Sequence, residues 1–75
     1  MRIMVFFDLP NVYNKDKRNY LMFRKYLLNE GFIMMQESVY SKIALNSQQS
    51  NLLIEKLRRN APKKGLIQVL VVTER

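Results

Sequence analysis

The stretch Met1-Arg2-Ile3-Met4-Val5-Phe6-Phe7-Asp8-Leu9-Pro10 (MRIMVFFDLP, residues 1–10) decides how the chain folds. Arg2 to Phe7 is too short for a helix and rich in β-branched and aromatic residues, so it predicts a buried strand. Pro10 lacks the N–H that a ladder needs, and the strand stops there. Side chains alternate across a strand, which puts Ile3, Val5 and Phe7 on one face and Met4, Phe6 and Asp8 on the other. Both faces are apolar. The strand is therefore expected at the centre of a sheet, covered by helices on one side and by something else on the other, with Asp8 at the rim of that second face.

Outward from this strand, Asn11 to Asn14 form a polar loop, and Asn14 or Asp16 can cap a helix running to about Asn29, where Gly31 ends it. Tyr20, Phe23 and Leu27 fall at helical spacing and point inward. Lys17, Arg18, Arg24 and Lys25 form two pairs seven residues apart, placed on the side of the helix away from that stripe. Leu21 and Leu28 lie within or beside this basic side, facing a partner or an edge of the core. Phe32 to Gln36 and Val39 to Leu45 are the second and third strands. Glu37-Ser38 between them reads either as a tight turn or as a kink in one long strand.

Asn46 to Gln49 resembles a capping box, and a second helix runs from about Ser47 to Asn60 with Leu53, Ile54 and Leu57 inward. Ala61-Pro62 stops it and Lys63-Lys64-Gly65 makes the return loop. Leu66 to Thr73 repeats the character of the opening strand and is expected to be central or covered on both faces. The order β-α-β-β-α-β predicts an α+β, ferredoxin-like split βαβ domain, an antiparallel sheet with both helices on one face. The other face, carrying Met4, Phe6, Leu70 and Val72, is left as an apolar patch of the kind that marks an interaction surface. Sheet-to-sheet dimerisation about a two-fold axis is the simplest way to cover it.

At 75 residues the chain is a single small domain. Such a domain buries only about 60% of its unfolded surface, so oligomerisation would help it. With no cysteine and no histidine, disulfides, zinc sites and histidine-based catalysis are excluded. No apolar stretch approaches the roughly 20 residues of a membrane span, and the N-terminal run lacks the flanks of a signal peptide, so a cytoplasmic protein is expected. Thirteen Lys and Arg against six Asp and Glu give a net charge of +7. Polyanions are the expected partners, nucleic acid ahead of an anionic membrane surface, because neither helix pairs a clean apolar face with a continuous basic one.

Asp8 ends a rigid strand upstream of a basic helix. Taken by position alone it reads slightly better as an Asx-turn residue before Leu9-Pro10 than as a metal ligand. A two-fold dimer raises the second reading, since Asp8 from each subunit would then hold one hydrated Mg²⁺ beside a phosphodiester. Lys15, Lys17, Arg18, Arg24 and Lys25 form a candidate phosphate track, with Arg2, Lys42, Arg58, Arg59, Lys63 and Lys64 as further contributors. A solvated helix face is the alternative, and it has more weight for the last four, since bases in a helix's last turn also complement its dipole. Tyr13, Tyr20, Tyr26 and Tyr40 invite base stacking. However, Val39-Tyr40-Ser41-Lys42-Ile43 lacks the basic-Gly-aromatic signature of an RNA-recognition motif, and no Gly-rich phosphate loop is present.

Phe7-Asp8-Leu9-Pro10, the basic helix with Tyr20, Phe23 and Arg24, Gly31-Phe32, and Gln36-Glu37-Ser38-Val39-Tyr40 together resemble the second Cas family of small CRISPR-associated proteins. Arg2 to Asp8 and Glu37 to Lys42 are most similar to members found beside Cas-nine-type systems. The resemblance covers essentially the whole chain. It implies a ferredoxin-like homodimer that bridges two dimers of the partner integrase, the first Cas protein, to capture short duplex DNA and insert it into the CRISPR array. It also implies metal-dependent endonuclease activity in some members, on DNA or single-stranded RNA, with Asp8 as the Mg²⁺ ligand by motif. The alternative within the same fold is a stand-alone, toxin-like Mg²⁺-dependent endoribonuclease. Family members usually carry a further strand after the fourth that pairs with the partner subunit, and here the sequence stops at Thr73-Glu74-Arg75.

Overall fold

The computed structural model describes residues 1–8, 14–63 and 65–73. The elements are β1 (Arg2–Asp8), α1 (Asn14–Asn29), β2 (Ile33–Gln36), β3 (Val39–Ile43), α2 (Ser47–Asn60) and β4 (Leu66–Val72), in the expected order. They form one four-stranded antiparallel sheet in the order β2-β3-β1-β4, the ferredoxin-like arrangement. The expected stop at Leu9-Pro10, Tyr13 and Lys64 lie outside the described residues.

β1 is central, paired with β3 from Arg2↔Ile43 to Phe6↔Val39 and with β4 from Arg2↔Val72 to Asp8↔Leu66. Its alternation is the predicted one. Ile3, Val5 and Phe7 are buried, Met4 and Phe6 are half-buried, and Asp8 is exposed. Tyr40, opposite Val5, carries the buried face onto β3, and Phe23 and Leu27 of α1 with Leu53 and Leu57 of α2 close it from above. Phe7 is the hub: its ring lies 5.6 Å from Tyr20, 5.3 Å edge-on from Phe23 and 5.6 Å stacked on Tyr40.

Local chemistry sets the boundaries. Gly31, at φ 93°, ends α1 in a Schellman motif, with Gly31 N–H donating to Leu28 O at 3.1 Å and Phe32 N–H to Leu27 O at 3.0 Å. The motif's apolar clasp is Leu27 against Phe32, both buried. Lys42 donates its ammonium to the Glu30 carbonyl at the same helix end, so this candidate phosphate ligand is occupied by capping. At α2, Asn46 Oδ1 accepts from Gln49 N–H at 2.9 Å and Gln49 Oε1 accepts from Leu45 N–H at 2.7 Å, a capping box that reaches one residue further back than usual.

Glu37-Ser38 is a hairpin turn joining β2 and β3, with a bulge between Met34 and Gln36, which settles turn against kink. Asn14 and Asp16 both lie inside α1, and Asp16 is buried in the first turn, where a carboxylate complements the helix dipole. One expectation is corrected. β4 is an edge strand and largely exposed, not central or covered. Its run of apolar residues reflects two partly covered faces, with α2 leaving Val69 and Val71 accessible on the helix side.

Candidate metal and nucleic-acid site

Three segments converge at the end of β1. Phe7 N–H donates to Ser38 O at 3.1 Å, which fastens the β2–β3 turn beside Asp8. Tyr20 of α1 donates its hydroxyl to Glu37 O at 2.9 Å, which ties the same turn to the helix. Burial raises the Tyr20 phenol above its ordinary value of 10.0, and Tyr40 and Glu37 add to the rise against Arg24, so the hydroxyl stays protonated as a donor.

Between these segments lies a cleft of about 520 Å³ lined by Phe7, Asp8, Lys17, Tyr20, Leu21, Glu37 and Ser38. On the other side of Asp8, toward the open sheet face, a smaller cleft of about 190 Å³ is lined by Phe6, Phe7, Asp8, Ser38, Leu66 and Gln68. Asp8 is thus the carboxylate shared by both, reachable from the helix side and from the sheet side. Oxygen donors suit a hard cation such as Mg²⁺, which accepts one or two carboxylates and completes its shell with water and phosphate oxygens. Among the described residues no group of three or more acids, histidines or cysteines exists that would cage an ion within one chain. The exposed carboxylate at an open cleft would suit a hydrated Mg²⁺ and not an enclosed one.

Of the predicted phosphate ligands, Lys17 shares the cleft with Asp8, while Lys15, Arg18 and Lys25 are exposed on α1. Arg24 stands differently: it is half-buried, and its Nε donates at 3.0 Å to the hydroxyl of Tyr40, a residue with no exposure of its own. Its place in the track is corrected accordingly, because positions 17 and 24 flank the inward stripe and a long side chain there reaches over to the sheet. Arg58 pairs with Glu55 at 3.7 Å, Arg59 and Lys63 are exposed, and Arg2 is half-buried on the open face. Leu21 and Leu28 are exposed, facing outward from the core.

Glu37, Ser38 and the cleft role of Tyr20 were not singled out for this site from sequence. The signal was available only indirectly: β3 starts at Val39, and if it pairs antiparallel to β1 the preceding turn must fall beside Asp8.

The family described as "CRISPR associated protein Cas2" matches residues 1–75. The chain is 48% identical to the "CRISPR-associated endoribonuclease Cas2" of Treponema denticola over 75 residues, all of this chain and 74% of the relative. It is 48% identical to the protein of that name from Streptococcus mutans over all of this chain and 69% of the relative. The Ligilactobacillus salivarius protein is 40% identical, again over all of this chain and 74% of the relative. With a match over its whole length and these identities, the chain belongs to the CRISPR-associated protein Cas2 family.

Proposed function

We propose that the chain is a homodimeric protein of CRISPR adaptation that cradles duplex DNA, bridges dimers of the partner integrase, and uses Asp8 with Mg²⁺ to cleave phosphodiester bonds. The observation that carries the proposal is the position of Asp8, exposed at the end of the central strand where the open apolar face meets a cleft holding Lys17. A second copy laid on the open face covers the apolar surface and brings the Asp8 carboxylates of the two subunits toward one axis.

In that arrangement the Asp8 carboxylates would hold the ion, Lys17 would receive a phosphate of the substrate strand, and Lys15, Arg18 and Lys25 would track its backbone without reading sequence. When bound, Mg²⁺ supplies Lewis-acid polarisation of the phosphoryl oxygen. Binding through exposed cations predicts sequence-tolerant, strongly salt-sensitive association with duplex DNA. The test is a salt titration of the complex with the integrase on duplex DNA, wild type against charge removal at Lys17, Arg18 and Lys25. Unchanged affinity and salt slope would contradict the cradle.

The name carried by the relatives favours a second reading, cleavage of RNA by the isolated dimer. Purified protein on single-stranded RNA, with and without EDTA, separates the two. RNA cleavage that survives Asp8→Asn would exclude this site from the second reading.

A further inference from the structure

We infer that Tyr20 is a positioning residue for the Asp8 cleft: its hydroxyl bridge to the Glu37 carbonyl holds the β2–β3 turn at a fixed gap from α1, so that Lys17 and Asp8 face a common space.

Three observations converge on this role, which rests on the Asp8 metal reading above. Two hydrogen bonds fasten the turn bearing Glu37 and Ser38 to its surroundings: Phe7 N–H to Ser38 O at 3.1 Å and Tyr20 OH to Glu37 O at 2.9 Å. The first sets the turn against β1, and the second sets it against α1. The Tyr20 ring also lies 5.6 Å from Phe7, the residue before Asp8, so one side chain touches both walls of the cleft. Finally, Lys17 is one helical turn before Tyr20 on α1, and both line the cleft with Asp8. Releasing the hydroxyl leaves the ring in the core and frees the turn to move away from the helix. The expected consequence is a weaker hold on a hydrated cation, because outer contacts that orient a ligand set contribute to its affinity.

The test is a Mg²⁺ titration of the full chain followed through the backbone amide NMR shifts of Asp8, Glu37 and Ser38. The wild type, Tyr20→Phe and Tyr26→Phe are compared, with thermal unfolding recorded for each. Tyr26→Phe makes the same chemical change on the same helix away from the cleft. The inference predicts that Tyr20→Phe raises the Mg²⁺ midpoint about threefold to tenfold, the loss expected for one hydrogen bond. Tyr20→Phe should stay folded, with a melting temperature near that of wild type, and the Tyr26→Phe midpoint should match wild type. A wild-type Mg²⁺ response reproduced unchanged by Tyr20→Phe would overturn the positioning role alone. A wild type whose Asp8 amide ignores Mg²⁺ would overturn the metal reading and the positioning role with it.

Discussion

The two faces of the sheet both carry apolar residues around β1 and differ in how far they are covered. On the helix side Ile3, Val5 and Phe7 are 0%, 0% and 4% exposed; on the other side Leu70, Ile43 and Ile33 around Met4 and Phe6 remain 51%, 66% and 68% exposed. Hydrophobicity alone therefore does not decide burial. The two crossover helices complete one face, and the chain supplies nothing among its described residues that completes the other. A domain of this size gains most from a partner where its own elements run out.

The largest expected effects break this contrast from the completed side. Phe7→Ala removes the hub of the aromatic cluster and should cost about 3–5 kcal/mol of unfolding free energy in denaturant titration. Leu70→Lys, on the open face, should leave the monomer folded and destabilise it by no more than about 1 kcal/mol. It should, however, abolish the concentration dependence of melting that a dimer shows. If both substitutions unfold the monomer equally, the distinction between a core face and an interface is wrong.

Smaller effects sharpen the same contrast on α1, whose inner face is core and whose outer face is charged. Removing Lys17 and Arg18 together should lower the slope of log affinity against log salt for duplex DNA by about 2. Arg24→Ala should act on the fold instead, since it strips the Tyr40 hydroxyl of its donor, and should cost about 1–3 kcal/mol in thermal unfolding. The tyrosines report on pH. Burial raises both phenols above 10.0, for Tyr26 with help from Glu30 against the opposing Asn60 side chain. The folded state thus favours the neutral form. Stability from these groups is fully present below about pH 10 and is lost as pH climbs through the raised values. Tyr20→Phe and Tyr26→Phe should each flatten that alkaline decline. Among the described residues the buried Tyr26 hydroxyl makes no well-formed hydrogen bond, so Tyr26→Phe should be neutral or stabilising by about 1 kcal/mol near neutral pH.

Much of this was legible in the chain. The alternation in β1 named its two faces, Gly31 marked the end of α1, Asn46 and Gln49 marked the start of α2, and the element order gave the ferredoxin-like topology. What escaped is tertiary. Edge position leaves no local trace: taken by itself the apolar Leu66–Val72 run reads as central, whereas the ferredoxin-like order puts it at the edge. The diversion of Arg24 to Tyr40 and Lys42 to Glu30 depends on which neighbours the fold supplies, and cations at helical spacing look alike until those neighbours are in place. The cleft behaves the same way. Asp8 and Lys17 stand out by type and position, whereas Glu37, Ser38 and Tyr20 join them only through pairing between β1 and β3.

The central claim is that a second copy covers the open face and brings the two Asp8 positions together. Because the chain contains no cysteine, Asp8→Cys carrying a nitroxide label gives a unique pair for a dipolar distance measurement in solution. The account predicts a single narrow, short distance between the labels, lost when Leu70→Lys is added. A monodisperse protein with no dipolar coupling, or a dimer whose labels lie at opposite ends, would contradict it.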